Sequence, residues 1–196
     1  MTVRKAGQAR RGCLVALSSL FVLVLVVVLV GQFTPVLSAV LLRQLINASS
    51  FAAPPNFDAI QAHVVAKTGL VYDGQEAQLD LYYPRDLAAP VPVILWIHGG
   101  GFIGGKKEQA RAYAMTLANA GYLVAAMDYD LAPAHHYPRP VIQANQALGY
   151  LQEIAGQYGG DTGKFFLGSN SSGSQIASQV AAVISNEQYA RAMGIQ

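Results

Sequence analysis

From Cys13 to Gly31 the chain reads CLVALSSLFVLVLVVVLVG, nineteen residues without a charge. At about 1.5 Å per residue a helix of this length reaches roughly 28 Å, close to the hydrocarbon thickness of a bilayer. Pro35 interrupts the pattern, and Val36 to Ile46 then resumes as a short, mostly apolar helix suited to a membrane surface or to capping a domain. Asn47 to Pro55 (NASSFAAPP) has the small residues and terminal prolines of a linker, so the folded domain is expected to start near Asn56.

Beyond Asn56 apolar runs of strand length alternate with helical periodicity. The pattern predicts a helix from Asn56 to about Lys67 and two strands, Leu70–Tyr72 and Ala77–Tyr83, flanking the turn signal Asp73-Gly74. Further strands are predicted at Val91–Ile97, Tyr122–Met127 and Lys164–Gly168. Helices are predicted from about Glu108 to Ala120, from Val141 to Tyr158 and from Ser172 to Ser185. Strands bounded by helices imply an α/β domain with a doubly wound, mostly parallel sheet, preceded by one transmembrane helix. The expected organisation is a basic segment at 1–12, a transmembrane helix or signal anchor at 13–31, an amphipathic helix and linker at 32–55, and the α/β domain at 56–196.

Charge sharpens the membrane reading. Arg4, Lys5, Arg10 and Arg11 precede the apolar run with no acidic residue beside them, which leaves the N-terminus cytoplasmic and sends the rest across as a single-pass protein. Those four account for the formal +2: without them the 13 basic residues fall to 9, against 11 acidic ones, and no nucleic-acid partner is implied. Val36-Leu37-Ser38 before Ala39 has small-residue character, and cleavage there would make the domain secreted. Cys13 stands alone and cannot close an internal disulfide, so it reads as a small membrane residue, with acylation as the alternative. Asn47-Ala48-Ser49 also fits a glycosylation acceptor.

Two motifs carry chemistry. Ser171 is central in a small-x-Ser-x-small turn, Ser169-Asn170-Ser171-Ser172-Gly173, between a predicted strand and a predicted helix, where a nucleophile stands clear of its own strand. His98-Gly99-Gly100-Gly101-Phe102 follows another strand. The amides of Gly100, Gly101 and Ser172 are the candidate donors to a developing oxyanion, because glycine backbone approaches where a Cβ would obstruct. His98 and Gly99 are expected to shape the loop rather than react.

Competing readings attach to the same residues. Gly99-x-Gly101-x-x-Gly104 and Gly100-x4-Gly105-Lys106 imitate nucleotide-binding loops, but Lys107 stands where magnesium needs a hydroxyl, and neither pattern uses Ser171. Asp128 and Asp130 are expected to make loop hydrogen bonds, and His135 and His136 to be solvated or to line a substrate site. His63 reads as packing or surface. Lys106, Lys107 and Glu108 read as a solvated helix start.

Together Leu79–Pro84, Val93–Phe102, Asp128–Pro133 and Leu167–Ala177 resemble the α/β-hydrolase fold and, within it, the hormone-sensitive-lipase-like carboxylesterases. The resemblance implies ester hydrolysis through an acyl-enzyme on Ser171, without metal or organic cofactor, on a small-molecule ester with an apolar acyl group. The family usually carries arginine and glutamate where this chain has Asp130 and Ala134, and glycine where it has Ser169. Its catalytic acid and histidine follow later strands, in the order Ser, Asp or Glu, His. After Ser171 the chain has no histidine, and its one acidic residue, Glu187, comes too soon for the acid position. The triad's acid and base are therefore expected to be absent from these 196 residues, which correspond to the N-terminal portion of the fold, with little activity alone. The alternative is a non-catalytic binding module at the membrane.

Overall fold

The structure, a computed structural model, describes residues 2–74 and 76–195, with side chains described from Val15 onward except Phe33. Cys13 and the basic residues ahead of it thus fall outside the described side chains. The chain divides into two compact units, Met1–Leu41 and Leu42–Gln196. The first holds α1 (Thr2–Phe33) and most of α2 (Pro35–Asn47). Within α1, Val15–Gln32 is long and apolar enough to cross a membrane and is wholly unburied. The second unit begins at Leu42, ahead of the stretch whose composition suggests a linker.

That unit is a five-stranded sheet in the order β1-β2-β4-β3-β5, from β1 (Val64–Val71), β2 (Gln78–Pro84), β3 (Val91–Ile97), β4 (Leu123–Met127) and β5 (Gly160–Ser169). The sheet is mixed rather than mostly parallel. β1–β2 and β2–β4 are antiparallel, while β3–β4 and β3–β5 are parallel. A tight connection through Asp73 and Gly74 makes the first pair a hairpin, closed by Tyr72 N–H to Ala77 O and Ala77 N–H to the Asp73 carboxylate. The expected helix from Asn56 to Lys67 is shortened to α3 (Phe57–His63), because Val64 and Val65 enter β1 opposite Pro84 and Tyr83. Consecutive β-branched residues favour that pleated position.

Strand alternation separates two cores. Val93, Leu95 and Ile97 point with Leu81 and Met127 towards α5 (Arg139–Ile154) and α6 (Ser172–Ser185), where Val141, Leu151, Ile176 and Val180 are buried. Ile94, Trp96, Val124 and Ala126 point the other way, against Ile60 of α3 and Ala114, Met115 and Ala118 of α4 (Arg111–Asn119). Helices on both faces account for the uninterrupted apolar run of β4, all five residues of which are buried. A last short helix, α7 (Glu187–Ala192), closes the described chain.

Two chain crossings fix where chemistry can occur. The parallel strands β3 and β5 end side by side, with Ile97 opposite Ser169, so the loops after them meet at the carboxyl edge of the sheet. There α6 begins against β3: a Cβ on Gly173 would lie 2.2 Å from Ile97 O and 2.6 Å from His98 O. Gly149, on the exposed side of α5, has nothing within 4 Å of its Cβ position. Gly149→Ala should therefore stabilise the protein by about 0.5–1 kcal/mol, through helix propensity. Gly173→Ala should lower the melting temperature and shift α6. Thermal unfolding of both variants checks the contrast, and equal midpoints would refute the close packing.

Candidate active site

Ser171 sits at the turn between β5 and α6 with φ 50° and ψ −125°. A left-handed φ in a residue with a side chain costs on the order of 1–3 kcal/mol and persists only where surrounding structure imposes it. Here the imposing contacts are the seat of Gly173 on β3 and the hydrogen bond from Gly173 N–H to Asn170 O, 3.0 Å. The turn holds the Ser171 side chain outward and exposed. Ser169, in the place of an elbow glycine, fits: its hydroxyl lies 3.1 Å from that of Ser174, within hydrogen-bond reach.

The glycine loop after β3 lies directly beside this turn. Gly99 N–H donates to Asn170 Oδ1 at 3.0 Å, and a Cβ on Gly99 would stand 2.9 Å from Ser171 Cβ. Gly100, Gly101 and Phe102 all have positive φ, 132°, 60° and 63°. Gly104 N–H and Ile103 N–H both close onto Gly100 O. Among the hydrogen bonds of the described residues, none is donated by the amides of Gly100, Gly101 or Ser172. Unbonded backbone donors are the kind of group that a developing oxyanion requires.

His98 lies beneath the loop, buried and stacked on Tyr129 with ring centroids 4.3 Å apart. Its Nδ1 meets Gly99 O at 2.7 Å, a contact that fixes the proton on Nδ1, and the Tyr129 hydroxyl donates to His98 O at 2.9 Å. Burial lowers its pKa to about 4, with the Gly99 contact opposing. The imidazole is therefore neutral at pH 7 and engaged with backbone.

Behind the loop lies a charge cluster. Lys107 is buried rather than solvated, 6% exposed: its ammonium reaches Glu108 at 2.6 Å, Asp80 at 3.3 Å and Asp128 at 4.0 Å. Burial works against the charged amine, but the bond to Glu108 and the two aspartates outweigh it and raise the Lys107 pKa. Asp128 accepts the Lys107 backbone N–H at 2.7 Å. Partial burial pushes the Asp128 carboxyl up to about 6, against the pull of Lys107. Asp130 bonds Arg139 Nε at 2.8 Å, with His135 at 3.8 Å and Asp73 3.6 Å from the same guanidinium. Arg139 thus supplies the cation for a carboxylate that stands where the resembling family carries an arginine.

His135 and His136 line a cavity of about 470 Å³ with Phe102, Tyr137, Gln175 and Ile176, between the glycine loop and α6. His63 is exposed, with Nδ1 on Ala59 O. Among the described residues, no hydrogen bond joins any of the four histidines to Ser171. Several contacts here were not read from the sequence: Asn170 ties the two loops together, Tyr129 supports His98, and Arg43 and Asn47 reach the glycine loop from α2. Asn170 lies inside the serine motif, a local signal; Arg43 and Asn47 are distant in sequence, and nothing local to them signals a contact with the glycine loop.

Known esterases resemble this chain in sequence and in fold. The BD-FAE family model matches residues 79–194. A probable isoprenylcysteine alpha-carbonyl methylesterase of Oryza sativa subsp. japonica is 34% identical over 58% of this chain and 27% of its own. Carboxylesterase NlhH of Mycobacterium tuberculosis is 33% identical over 56% of this chain and 35% of its own. In structure, esterase B of Lactobacillus rhamnosus HN001 superposes with TM-score 0.64 at 29% identity, covering 72% of this chain and 48% of that one. The same esterase is known inhibited by a C4-C4 tributyrin phosphonate, with TM-score 0.63. This chain therefore spans about a third or less of these curated relatives and about half of the solved structure.

Asp128 and His98 give opposing pH dependences. Between about pH 4 and 6 the folded protein keeps a proton on Asp128 that the unfolded chain has lost, so this group's contribution to stability falls as pH rises. Over the same window the unfolded chain protonates His98 and the folded protein does not, so that contribution rises with pH. Asp128→Asn removes the first and leaves the second. The melting temperature of this variant should climb more steeply than the wild type's from about pH 4 to 6, and parallel curves would refute the assignment.

Proposed function

The chain belongs to the BD-FAE family, among the hormone-sensitive-lipase-like carboxylesterases, and from that premise we propose that it carries the nucleophile half of a carboxylester hydrolase. The observation that bears most weight is the contact of the strained Ser171 turn with a glycine loop whose amides are unspent. In this reading Ser171 Oγ attacks the ester carbonyl carbon, and the carbonyl π pair moves onto oxygen. The amides of Gly100, Gly101 and Ser172 receive that charge. Collapse of the tetrahedral intermediate expels the alcohol and leaves an acyl-enzyme, which water hydrolyses to the carboxylic acid and free serine.

The proton on Ser171 needs a base, and the four histidines here are otherwise placed. The reading therefore assigns base and acid to residues outside 1–196, for which the relatives' greater length leaves room. The cavity against Phe102 and Ile176 suits an apolar ester group. Membrane attachment through Val15–Gln32 belongs to the same proposal, with the basic N-terminus cytoplasmic and the domain extracytoplasmic. Val36, Val40, Leu41, Leu42 and Leu45 of α2 are all exposed, in keeping with a helix lying on a lipid surface.

A fluorophosphonate probe tests the reading, since it reacts with an activated serine and mimics the tetrahedral geometry. The full-length gene product in membranes should be labelled at Ser171, and Ser171→Ala should abolish both labelling and hydrolysis of a short-chain aryl ester, a loss of several orders of magnitude. A folded wild-type protein that neither labels nor turns over ester would favour the non-catalytic binding module.

A further inference from the structure

The three consecutive positive-φ residues of the glycine loop form a conformation that the loop's own sequence does not enforce, since glycines resist fixation more than any other residue. Something outside the loop must hold it. The holding contacts come from the end of α2, within the second compact unit.

Arg43 donates from Nε to Ile103 O at 2.5 Å and from Nη2 to Ala132 O at 2.7 Å. Ala132 N–H in turn donates to Phe102 O at 2.9 Å, so one guanidinium joins the glycine loop to the loop after β4. Asn47 Oδ1 accepts Gly105 N–H at 2.8 Å. Between these two points Gly104 is pressed against the helix: its Cβ position lies 3.2 Å from Ile46 Cβ and 3.3 Å from Arg43 Cα. Gln109, just after the loop, donates its side-chain amide to Ile46 O at 2.6 Å and also to Ser49 O. Phe51 then packs edge-on to Trp96 at 5.9 Å, anchoring the segment to the sheet.

We infer that Arg43 and Asn47 are positioning residues for the reaction: they touch no substrate, and they hold the loop of Gly100 and Gly101 in the geometry that receives the oxyanion. The arginine is suited to this because its charge persists at every working pH and its planar fork reaches two carbonyls at once. Ile46 and Ser49 also wall a cavity of about 190 Å³ opposite Gly99, Gly100 and Asn170, so the segment borders the reacting groups as well as supporting them. The catalytic role rests on the carboxylesterase reading above; the clamp itself does not.

The test compares full-length wild type, Asn47→Ala, Asn47→Asp and Arg43→Ala in detergent micelles, by amide hydrogen exchange and by the rate of Ser171 phosphonylation. Asn47→Ala and Arg43→Ala should speed exchange in peptides covering 99–106 by about tenfold or more, a loss of one to two hydrogen bonds, with peptides of α5 unchanged. Their maximal phosphonylation rate should fall by about tenfold with the half-saturating probe concentration little altered, the signature of an interaction made only in the transition state. Asn47→Asp, whose carboxylate accepts the same N–H, should restore both. Unchanged exchange in both alanine variants overturns the clamp, and faster exchange with undiminished phosphonylation overturns its catalytic role. A wild type that never labels overturns the carboxylesterase reading, while the exchange comparison still decides the clamp.

Discussion

Where α6 starts, its second residue lies against the last carbonyls of β3, and the absence of a side chain at Gly173 is what permits it. That contact accompanies the left-handed backbone of Ser171 two residues before it. It also brings the loop after β3 within bonding distance of Asn170. The register of β3 with β5 delivers the two loops to one edge, and the close approach converts adjacency into a site. A local strain of a few kcal/mol at Ser171 is tolerable because the helix behind it buries Ile176, Val180 and Val183, each worth about 1.5–3 kcal/mol.

Much of this was legible in the sequence because it depends on short-range signals. The alternation of apolar strands and helices, the Asp73-Gly74 hairpin and both site motifs are written in neighbouring residues. What could not be read depends on partners far apart. The antiparallel placement of β2 beside β4 makes the sheet mixed, and a run such as Gln78–Pro84 looks the same in either orientation. Val64 to Lys67 continue a helical pattern yet pair with β2, since a hairpin partner outweighs weak local preference. Lys107 has the composition of a solvated helix start, and only the fold shows that Asp80 and Asp128 converge on it. Asn47 has the sequence of a glycosylation acceptor, whereas its side-chain oxygen is engaged with Gly105.

In the cluster beside the glycine loop the polar groups are engaged with one another and with backbone. His98 spends its one proton on backbone, Asp128 receives the amide of Lys107, and the lysine ammonium satisfies three carboxylates. Breaking one partner of such a set leaves a buried group unpaired, a penalty larger than the bond's own net worth. The loop is thus bonded by the neutral imidazole of His98 through Gly99 O and by the end of α2 through Ile103 O and Gly105 N–H.

The support from α2 bears on how the protein can be divided for expression. A boundary drawn by composition at the proline pair Pro54-Pro55 would discard Arg43, Asn47 and the Phe51 anchor together, and would leave Ile103 O and Gly105 N–H to water. A cut ahead of Leu42 keeps every one of these contacts while dispensing with the apolar segment Val15–Gln32. A soluble version of the domain is therefore better begun inside a helix than after it.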